Sequence, residues 1–402
     1  MEGVCGRRQA RDEPSGTPSL YDHGVSTSES ASHAEQPEQL SDEEAKAHLG
    51  VSSGGIDRKK TIIGAIIGIA FLVLVFSKVI PQVGDYSQAL EYIQKMTPLA
   101  LVMLVVVTLV YLWVYGWPFV AAVPGLSYKN GFIVNQSAFA VSNGVPAGGA
   151  FGLGLQYAQL TSYRATPTAT TAGIGATGVW SVFITLFLPV TGVVALSIGG
   201  EDAGSYVKAA VIGLLVLIAV IVLFALILRS EASAVRIGRI ADKVVNWGIH
   251  LFKKDVTLDL TTQILRLRGD IVDLVKRRWH VITVAQIAVS WAQFAILYTA
   301  LVGLSASEST TTPLLVAYGC WAISQLGIMI PITPGGLGTV DAALIALLTA
   351  NGVDGGIATA ADLVWRASSY IPQMLVGLVS IFYWRWDIKH RDKKEAAQAA
   401  AA

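Results

Sequence analysis

Three residues near the C-terminal end of the chain combine polar chemistry with helical spacing. Asp362, Arg366 and Tyr370 follow one another at intervals of four, so they lie on one face of a helix. The two charges stand inside the apolar segment 357–384, where an ionisable side chain costs at least ~2.5–3.5 kcal/mol. Two interpretations stay open: Arg366 and Asp362 form an internal ion pair, or Arg366 binds an anionic group of a substrate.

Asp341 is the next charged candidate. It follows a turn that contains Pro334, Gly335, Gly336 and Gly338, so it falls in the first turns of the helix that comes after them. A carboxylate at that position is favoured by the helix dipole. At membrane depth it can also pair with Arg366 or bind a cationic group, and the residues alone do not choose between these roles.

A similar break occurs earlier in the chain, around Pro146, Gly148 and Gly149. The glycines at both breaks let helices approach closely, or their backbone N–H groups bind a phosphate, as helix N-termini do. Neither break is a P-loop, because no Lys-Ser/Thr follows.

Three further polar residues are candidates for substrate binding. Asn143 and Gln325 lie beside the two breaks, where amide side chains commonly make hydrogen bonds between helices. Arg164 lies where the first apolar hairpin is expected to return to the membrane surface. It contacts lipid head groups there or anchors the chain at the interface.

No motif for covalent catalysis accompanies these residues. The apolar segments contain no HExxH or GxSxG motif, and the cysteines and histidines of the chain lack the spacing of metal ligands. We therefore expect a protein that is not an enzyme and that has no metal and no cofactor.

Composition places the candidates in a membrane. Hydrophobic residues make up 53% of the chain and charged residues 14%, whereas soluble domains carry roughly 25% charged residues. A spanning helix needs about 20 mainly apolar residues. Segments that meet this need lie at 61–80, 98–122, 168–197, 207–228, 280–304 and 357–384. The pattern predicts an all-α integral membrane helical bundle with about six full spans.

Charges between these segments predict the orientation. Residues 1–57 have the composition of a disordered tail, and the basic residues directly before the first span place the N-terminus in the cytoplasm. The cytoplasmic loop 229–279 carries eleven basic and six acidic residues, a net charge of +5. Its apolar residues recur at helical spacing, which predicts an amphipathic helix. This helix packs on the end of the bundle or on the membrane surface, or it is a binding site for a regulatory partner. The membrane domain is expected to span 58–386. A cytoplasmic tail, first basic and then Ala-rich, is expected to follow it at 387–402.

Two apolar segments, 131–161 and 313–350, do not fit as simple spans, because the Pro/Gly breaks interrupt each near its middle. The charge rule makes the first begin and end inside, and the second begin and end outside. Each is therefore predicted to be a re-entrant helical hairpin between two spans. The two trios have opposite orientations, which is the inverted-repeat plan of transporters. The alternative is eight ordinary spans.

The C-terminal motifs resemble those of the lysylphosphatidylglycerol synthase transmembrane family, also called the flippase-like domain family. The residues that carry the resemblance are Pro334-Gly335-Gly336-Leu337-Gly338, Asp341, Trp365-Arg366 and Tyr370-Ile371-Pro372. The similarity extends over about residues 60–385. The first hairpin lacks the acidic residue and the arginine of many members. The resemblance implies a flippase-like membrane module that stands alone, without an aminoacyltransferase domain.

These observations predict a multi-pass protein of the cell membrane that translocates a lipid or a lipid-linked precursor. Its partners would be membrane lipids and no nucleic acid. The two hairpins would meet at mid-membrane and form a cavity in which Arg366 holds the substrate's charge, with Asp341 and Asp362 setting its environment. The rival hypotheses are a small-solute secondary transporter, an accessory protein that scaffolds envelope-synthesis enzymes, and a membrane-embedded glycosyltransferase.

Overall fold

The chain folds as a bundle of α-helices. The structure is a computed structural model that describes residues 86–144, 148–199, 204–251, 260–305, 312–329 and 334–401. The helices, numbered in chain order, are α1 (Tyr86–Gln94), α2 (Pro98–Val114), α3 (Trp117–Ala122), α4 (Tyr128–Gly144), α5 (Gly148–Ser162), α6 (Pro167–Ile198), α7 (Gly204–Arg229), α8 (Glu231–Leu251), α9 (Leu260–Leu304), α10 (Leu314–Ser324), α11 (Thr339–Ala350) and α12 (Gly355–Ala401). Two 3₁₀ segments, Gln325–Met329 and Pro334–Gly336, lie between α10 and α11. Within the described ranges no residue is in a β-strand, so the predicted all-α bundle is confirmed.

Among the described residues, four helical stretches are long and apolar enough to cross a bilayer. They are Pro98–Ala122, Pro167–Ile198, Val211–Arg229 and Arg268–Leu304. These stretches agree with four of the predicted spans. Only 6% of the apolar window of α7 is buried inside the protein, as expected for a helix that faces lipid. The predicted first span at 61–80 and the tail 1–57 lie outside the described residues. Helix α12 covers the last predicted span, but its buried face includes polar and charged side chains.

Two of the spanning helices begin with the same local signal. Thr97 precedes α2 and Thr166 precedes α6, and each is followed by a proline at the first helical position. Each threonine hydroxyl accepts a hydrogen bond from the backbone N–H three residues later, at 3.3 Å and 3.2 Å. A Thr-Pro pair therefore starts both helices, because the hydroxyl satisfies a free N–H and proline needs none.

Helices α4 and α5 form the first predicted hairpin. They run side by side, and Gly148 lies against the backbone carbonyls of α4 near Ser142. Helices α10 and α11 pack together as the second hairpin. The four helices have 17, 15, 11 and 12 residues, all shorter than the ~20 residues that a full span needs. Their lengths favour two hairpins over eight ordinary spans. The tip of the first hairpin, including Pro146, lies outside the described residues.

The packing pairs the two halves of the bundle reciprocally. Hairpin helix α4 of the first half packs along α12, the last helix of the second half. Hairpin helix α10 of the second half packs along α6, the last helix of the first half. The helices that open the two halves, α2 and α9, pack on each other. This exchange of partners is the packing expected of an inverted repeat.

The loop predicted at 229–279 is a pair of helices at one end of the bundle. Helix α8 packs against the first part of α9, where Thr261 Oγ1 donates a 2.5 Å hydrogen bond to Asp242. Helix α9 is tied to the bundle through Thr171 Oγ1, which donates to Asp270 at 2.7 Å, and through Arg278, which donates to the carbonyl of Ala121 at 3.1 Å. The amphipathic segment thus continues into a span. At the C-terminus, α12 likewise continues through 387–401, so the predicted tail extends the last helix.

Candidate functional site

The candidate site is an ion pair buried between two helices. Arg366 of α12 is 4% exposed and Asp341 of α11 is fully buried. Arg366 Nε donates a short hydrogen bond to Asp341 Oδ1, so the two side chains form a salt bridge. Two charges buried at this depth are tolerated only when they are paired. Of the roles open to Asp341 from sequence, two are seen: it lies in the first turn of α11, and it pairs with Arg366.

The turn before α11 positions the carboxylate. Gly335, Gly336 and Gly338 all have positive φ angles, of 62°, 69° and 88°. These angles are strained for residues with a side chain, so the turn before α11 favours glycine at all three positions. The backbone N–H of Gly338 then donates to Asp341 Oδ2 at 2.5 Å. One carboxylate oxygen caps the helix while the other binds the guanidinium, and Asp341 therefore has little freedom to rotate.

Asp362 lies one turn before Arg366, as predicted, but it does not hydrogen-bond to it. Its side chain is fully buried, and neither carboxylate oxygen has a hydrogen-bond partner among the described residues. It interacts electrostatically with both Asp341 and Arg366. The site therefore combines two carboxylates with one guanidinium, and only one of the carboxylates is neutralised by a direct contact.

Aromatic rings surround the guanidinium. Its central carbon lies 4.5 Å from the ring centroid of Trp365 and 5.1 Å from that of Tyr370. Both distances are within the range of cation–π attraction. The Trp365 indole N–H donates to the carbonyl of Gln293 at 3.2 Å, which fixes α12 against α9. One guanidinium nitrogen, Nη2 of Arg366, is buried and has no hydrogen-bond partner in the described part of the chain.

Described residues near the turns of the two hairpins meet beside this cluster. The Tyr370 hydroxyl donates to the carbonyl of Gly335 at 3.1 Å, and its ring packs edge-on against Phe139 of α4, with centroids 5.3 Å apart. A Cβ added to Gly335 would lie 2.7 Å from Oδ1 of Asn143, the penultimate residue of α4. Asn143 Nδ2 donates to the carbonyl of Phe139 at 3.0 Å. Residues from both hairpins therefore converge on Tyr370.

Other predicted residues take different places. Gln325 is buried at the end of α10 and donates to the carbonyl of Trp321 at 3.2 Å, so it stabilises the second hairpin. A Cβ added to Gly149 would have no other atom within 4 Å, so this glycine faces open space. Arg164 follows the far end of α5, about 24 Å along the helix from the hairpin tip at a rise of 1.5 Å per residue. The structure does not bring Arg164 to the buried cluster.

A set of buried polar side chains lies next to the cluster. The Tyr111 hydroxyl of α2 donates to Gln373 Oε1 of α12 at 2.8 Å, and Gln136 of α4 donates to the carbonyl of Leu112 at 3.2 Å. Thr108 Oγ1, Gln136 Oε1 and Gln373 Nε2 lack partners among the described residues. Helical spacing could have revealed part of this set, since a polar residue recurs every three or four positions along most of one α12 face. These residues are Asp362, Arg366, Ser369, Gln373 and Ser380.

An apolar groove runs along the same helix. It has a volume of about 520 Å³ and lies between α4 and α12. Its lining is almost entirely apolar and includes Phe132, Leu375 and Val379, with Lys129 at one end. Lys129 Nζ donates to the Tyr383 hydroxyl at 2.5 Å.

Among the described residues, no group of three or more His, Cys, Asp or Glu side chains is placed to hold a metal ion.

The sequence model of the lysylphosphatidylglycerol synthase TM region matches residues 61–377, which include the hairpins and the buried cluster. The chain belongs to this family. No significant match to a curated protein accompanies it. The protein is a multi-pass membrane protein, because it belongs to the lysylphosphatidylglycerol synthase TM region family and has apolar helices long enough to cross a bilayer.

Proposed function

We propose that this protein translocates lipids or lipid-linked precursors with an anionic head group across the cell membrane. The observation that carries the proposal is the unpartnered Nη2 of Arg366, which is buried beside the point where the two hairpins meet. A buried donor without a partner is costly, and it is satisfied when a ligand supplies an acceptor. A phosphate oxygen is such an acceptor, because guanidinium binds phosphate through parallel N–H groups.

The second support is the chemistry around the cluster. Unsatisfied polar atoms of Thr108, Gln136 and Gln373 come from three different helices and offer both donors and acceptors to a hydrated head group. The apolar groove between α4 and α12 offers a surface of matching polarity to an acyl chain. A polar cluster beside an apolar groove suits an amphipathic substrate better than a small polar solute, which needs no apolar surface.

The hairpins supply a way to alternate access. Each is short, and each ends at the cluster, so a small movement of either would open the cluster toward one side of the membrane. The protein would then bind and release its substrate without covalent chemistry, and it would not be an enzyme. The excess of basic residues on α8 and the first part of α9 supports a cytoplasmic location for this end of the bundle and for both termini.

The proposal is tested with purified protein in liposomes that contain fluorescently labelled phosphatidylglycerol. Dithionite added outside reduces only the label in the outer leaflet, so translocation appears as additional fluorescence loss. Loss of a hydrogen bond to a charged group costs about 1.5–3 kcal/mol. Arg366→Gln should therefore slow translocation by about tenfold or more.

The matched control is Arg239→Gln, which removes an arginine exposed on α8 and should translocate at the wild-type rate. The double variant Asp341→Asn/Arg366→Gln removes both charges of the pair and guards against misfolding caused by one uncompensated charge. If wild-type protein translocates no faster than empty liposomes, or if both variants at position 366 remain fully active, the proposal is wrong.

A further inference from the structure

Asp362 is a buried acid that takes no part in the ion pair between Arg366 and Asp341. The carboxylate is fully buried, and both of its oxygens lack hydrogen-bond partners among the described residues. Asp341, by comparison, has one oxygen on Arg366 and the other on the N–H of Gly338. An ionised carboxylate that is buried without donors is strongly disfavoured, and it becomes neutral by binding a proton.

The charge balance of the cluster leads to the same result. With Asp341 and Asp362 ionised and Arg366 positive, the cluster carries a net charge of −1. One bound proton brings the cluster to zero. Two nearby carboxylates that share one cation accordingly tend to hold one proton between them.

The surrounding helices offer no alternative cation in the part of the chain that the structure describes. The charged groups that act on Asp362 are Asp341 from α11 and Arg366 from its own helix. Helix α2 contributes Tyr111, on which Arg366 acts electrostatically. Helix α1 contributes Glu91, which is exposed and pairs at 2.6 Å with Lys95, the exposed residue directly after the helix. The membrane part of α9 contains no charged residue after His280, and α4 contains only the lysine at its start.

We propose that Asp362 is a proton-binding site and that the proton and an anionic head group bind to the cluster together. The inference rests on the translocase function proposed above. A singly charged anionic head group would bring the net charge of the unprotonated cluster to −2, but that of the protonated cluster only to −1. Each ligand therefore favours binding of the other, as thermodynamic linkage requires.

The proton is taken from water on one side of the membrane and forms an O–H bond with a carboxylate oxygen of Asp362. It returns to water on the other side when the head group leaves. One proton and one singly charged head group move in the same direction, so no net charge crosses the membrane. Translocation should therefore depend on a pH difference across the membrane and not on the membrane potential.

The first test observes the proton directly. Infrared spectra of the purified protein report the C=O stretch of protonated carboxylic acids, which ionised carboxylates lack. Wild-type protein should show a protonated band that disappears as the pH rises, and Asp362→Asn should lack it. Asp354→Asn is the matched control, because Asp354 is exposed at the start of the same helix and should leave the band unchanged.

The second test measures binding of phosphatidylglycerol in mixed micelles as a function of pH. Above the pH at which the infrared band disappears, wild-type affinity should fall about tenfold per pH unit, the limit for one linked proton. Asp362→Asn has the shape of the protonated acid and should bind with a high affinity that does not vary with pH. Asp362→Glu keeps an acid at the position and should keep the pH dependence.

The outcomes separate the two proposals. Loss of the band in Asp362→Asn supports the proton site, even if wild-type protein binds no phosphatidylglycerol, in which case only the translocase function fails. If the band persists in Asp362→Asn, the proton site is wrong. It is also wrong if affinity requires sodium, tested by replacement with N-methyl-D-glucamine, and does not vary with pH.

Discussion

Removing Arg366 should destabilise the protein much more than removing Asp341. Arg366→Met leaves both carboxylates of the cluster without a cation. Asp341→Asn leaves one carboxylate, on Asp362, and one guanidinium in electrostatic contact. The asymmetry follows from the two-to-one ratio of acids to base, and a simple pair would not show it.

The magnitudes follow from the contacts. Breaking a buried ion pair so that a charge is left uncompensated costs ~3–5 kcal/mol, which is our expectation for Arg366→Met. Asp341→Asn loses a charge-assisted hydrogen bond, at ~1.5–3 kcal/mol, but the new amide oxygen can still accept the N–H of Gly338. A difference of about 2 kcal/mol corresponds to roughly a 30-fold difference in the unfolding equilibrium. Asp362→Asn removes the unpartnered acid and should cost under ~1 kcal/mol.

Unfolding by sodium dodecyl sulfate in mixed micelles measures these free energies. Tryptophan fluorescence is a suitable signal, since Trp365 lies directly against the guanidinium. The expected order of stability is Asp362→Asn, then Asp341→Asn, then Arg366→Met. The reasoning is refuted if Asp341→Asn costs as much as Arg366→Met. It is equally refuted if Asp362→Asn is the more harmful of the two aspartate variants, because Asp362 would then be the principal partner of the arginine.

Three further predictions concern packing and orientation. Gly377→Leu places a side chain against the backbone of α4 and should lower stability by ~1–3 kcal/mol, whereas Gly149→Ala enters open space and should match wild type in the same titration. In Gly335→Ala, the alanine must adopt a φ of 62° beside a tyrosine hydroxyl, so we expect the free energy of unfolding to fall by ~1–3 kcal/mol. A fall of less than ~0.5 kcal/mol would contradict the close packing of Gly335 against Tyr370. In a cysteine-free background, an impermeant maleimide applied outside cells should label Asp354→Cys and not Arg236→Cys, and the reverse pattern would overturn the orientation.

The spans were predictable because each depends on a local property. A run of about 20 apolar residues is sufficient for a spanning helix whatever its neighbours are, and the helices at 98–122 and 167–198 follow directly from such runs. The breaks were predictable for the same reason, since the glycines at 335, 336 and 338 have the positive φ angles that glycine permits. Arg366 was identifiable as a site residue because a charge in an apolar helix is costly without a partner.

The partner of Arg366 was not predictable in this way. Sequence spacing offered Asp362, one turn away on the same helix, and also allowed Asp341, 25 residues earlier. Asp341 makes the hydrogen bond because the turn of α11 orients its carboxylate toward α12 while the N–H of Gly338 holds its other oxygen. Such an outcome depends on the relative position of two helices, which no local pattern specifies.

By itself, the sequence determined a membrane bundle with two broken segments, charged candidates on its last helix and an excess of positive charge on one side. Only the tertiary structure decided that α4 packs on α12 and α10 on α6, so that Asn143 and Gly335 meet at Tyr370. It also decided that Asp362 is the acid without a hydrogen bond among the described residues. The physical reason is that hydropathy and helical spacing act within one segment. Partners for buried polar groups are chosen by packing between segments far apart in the chain.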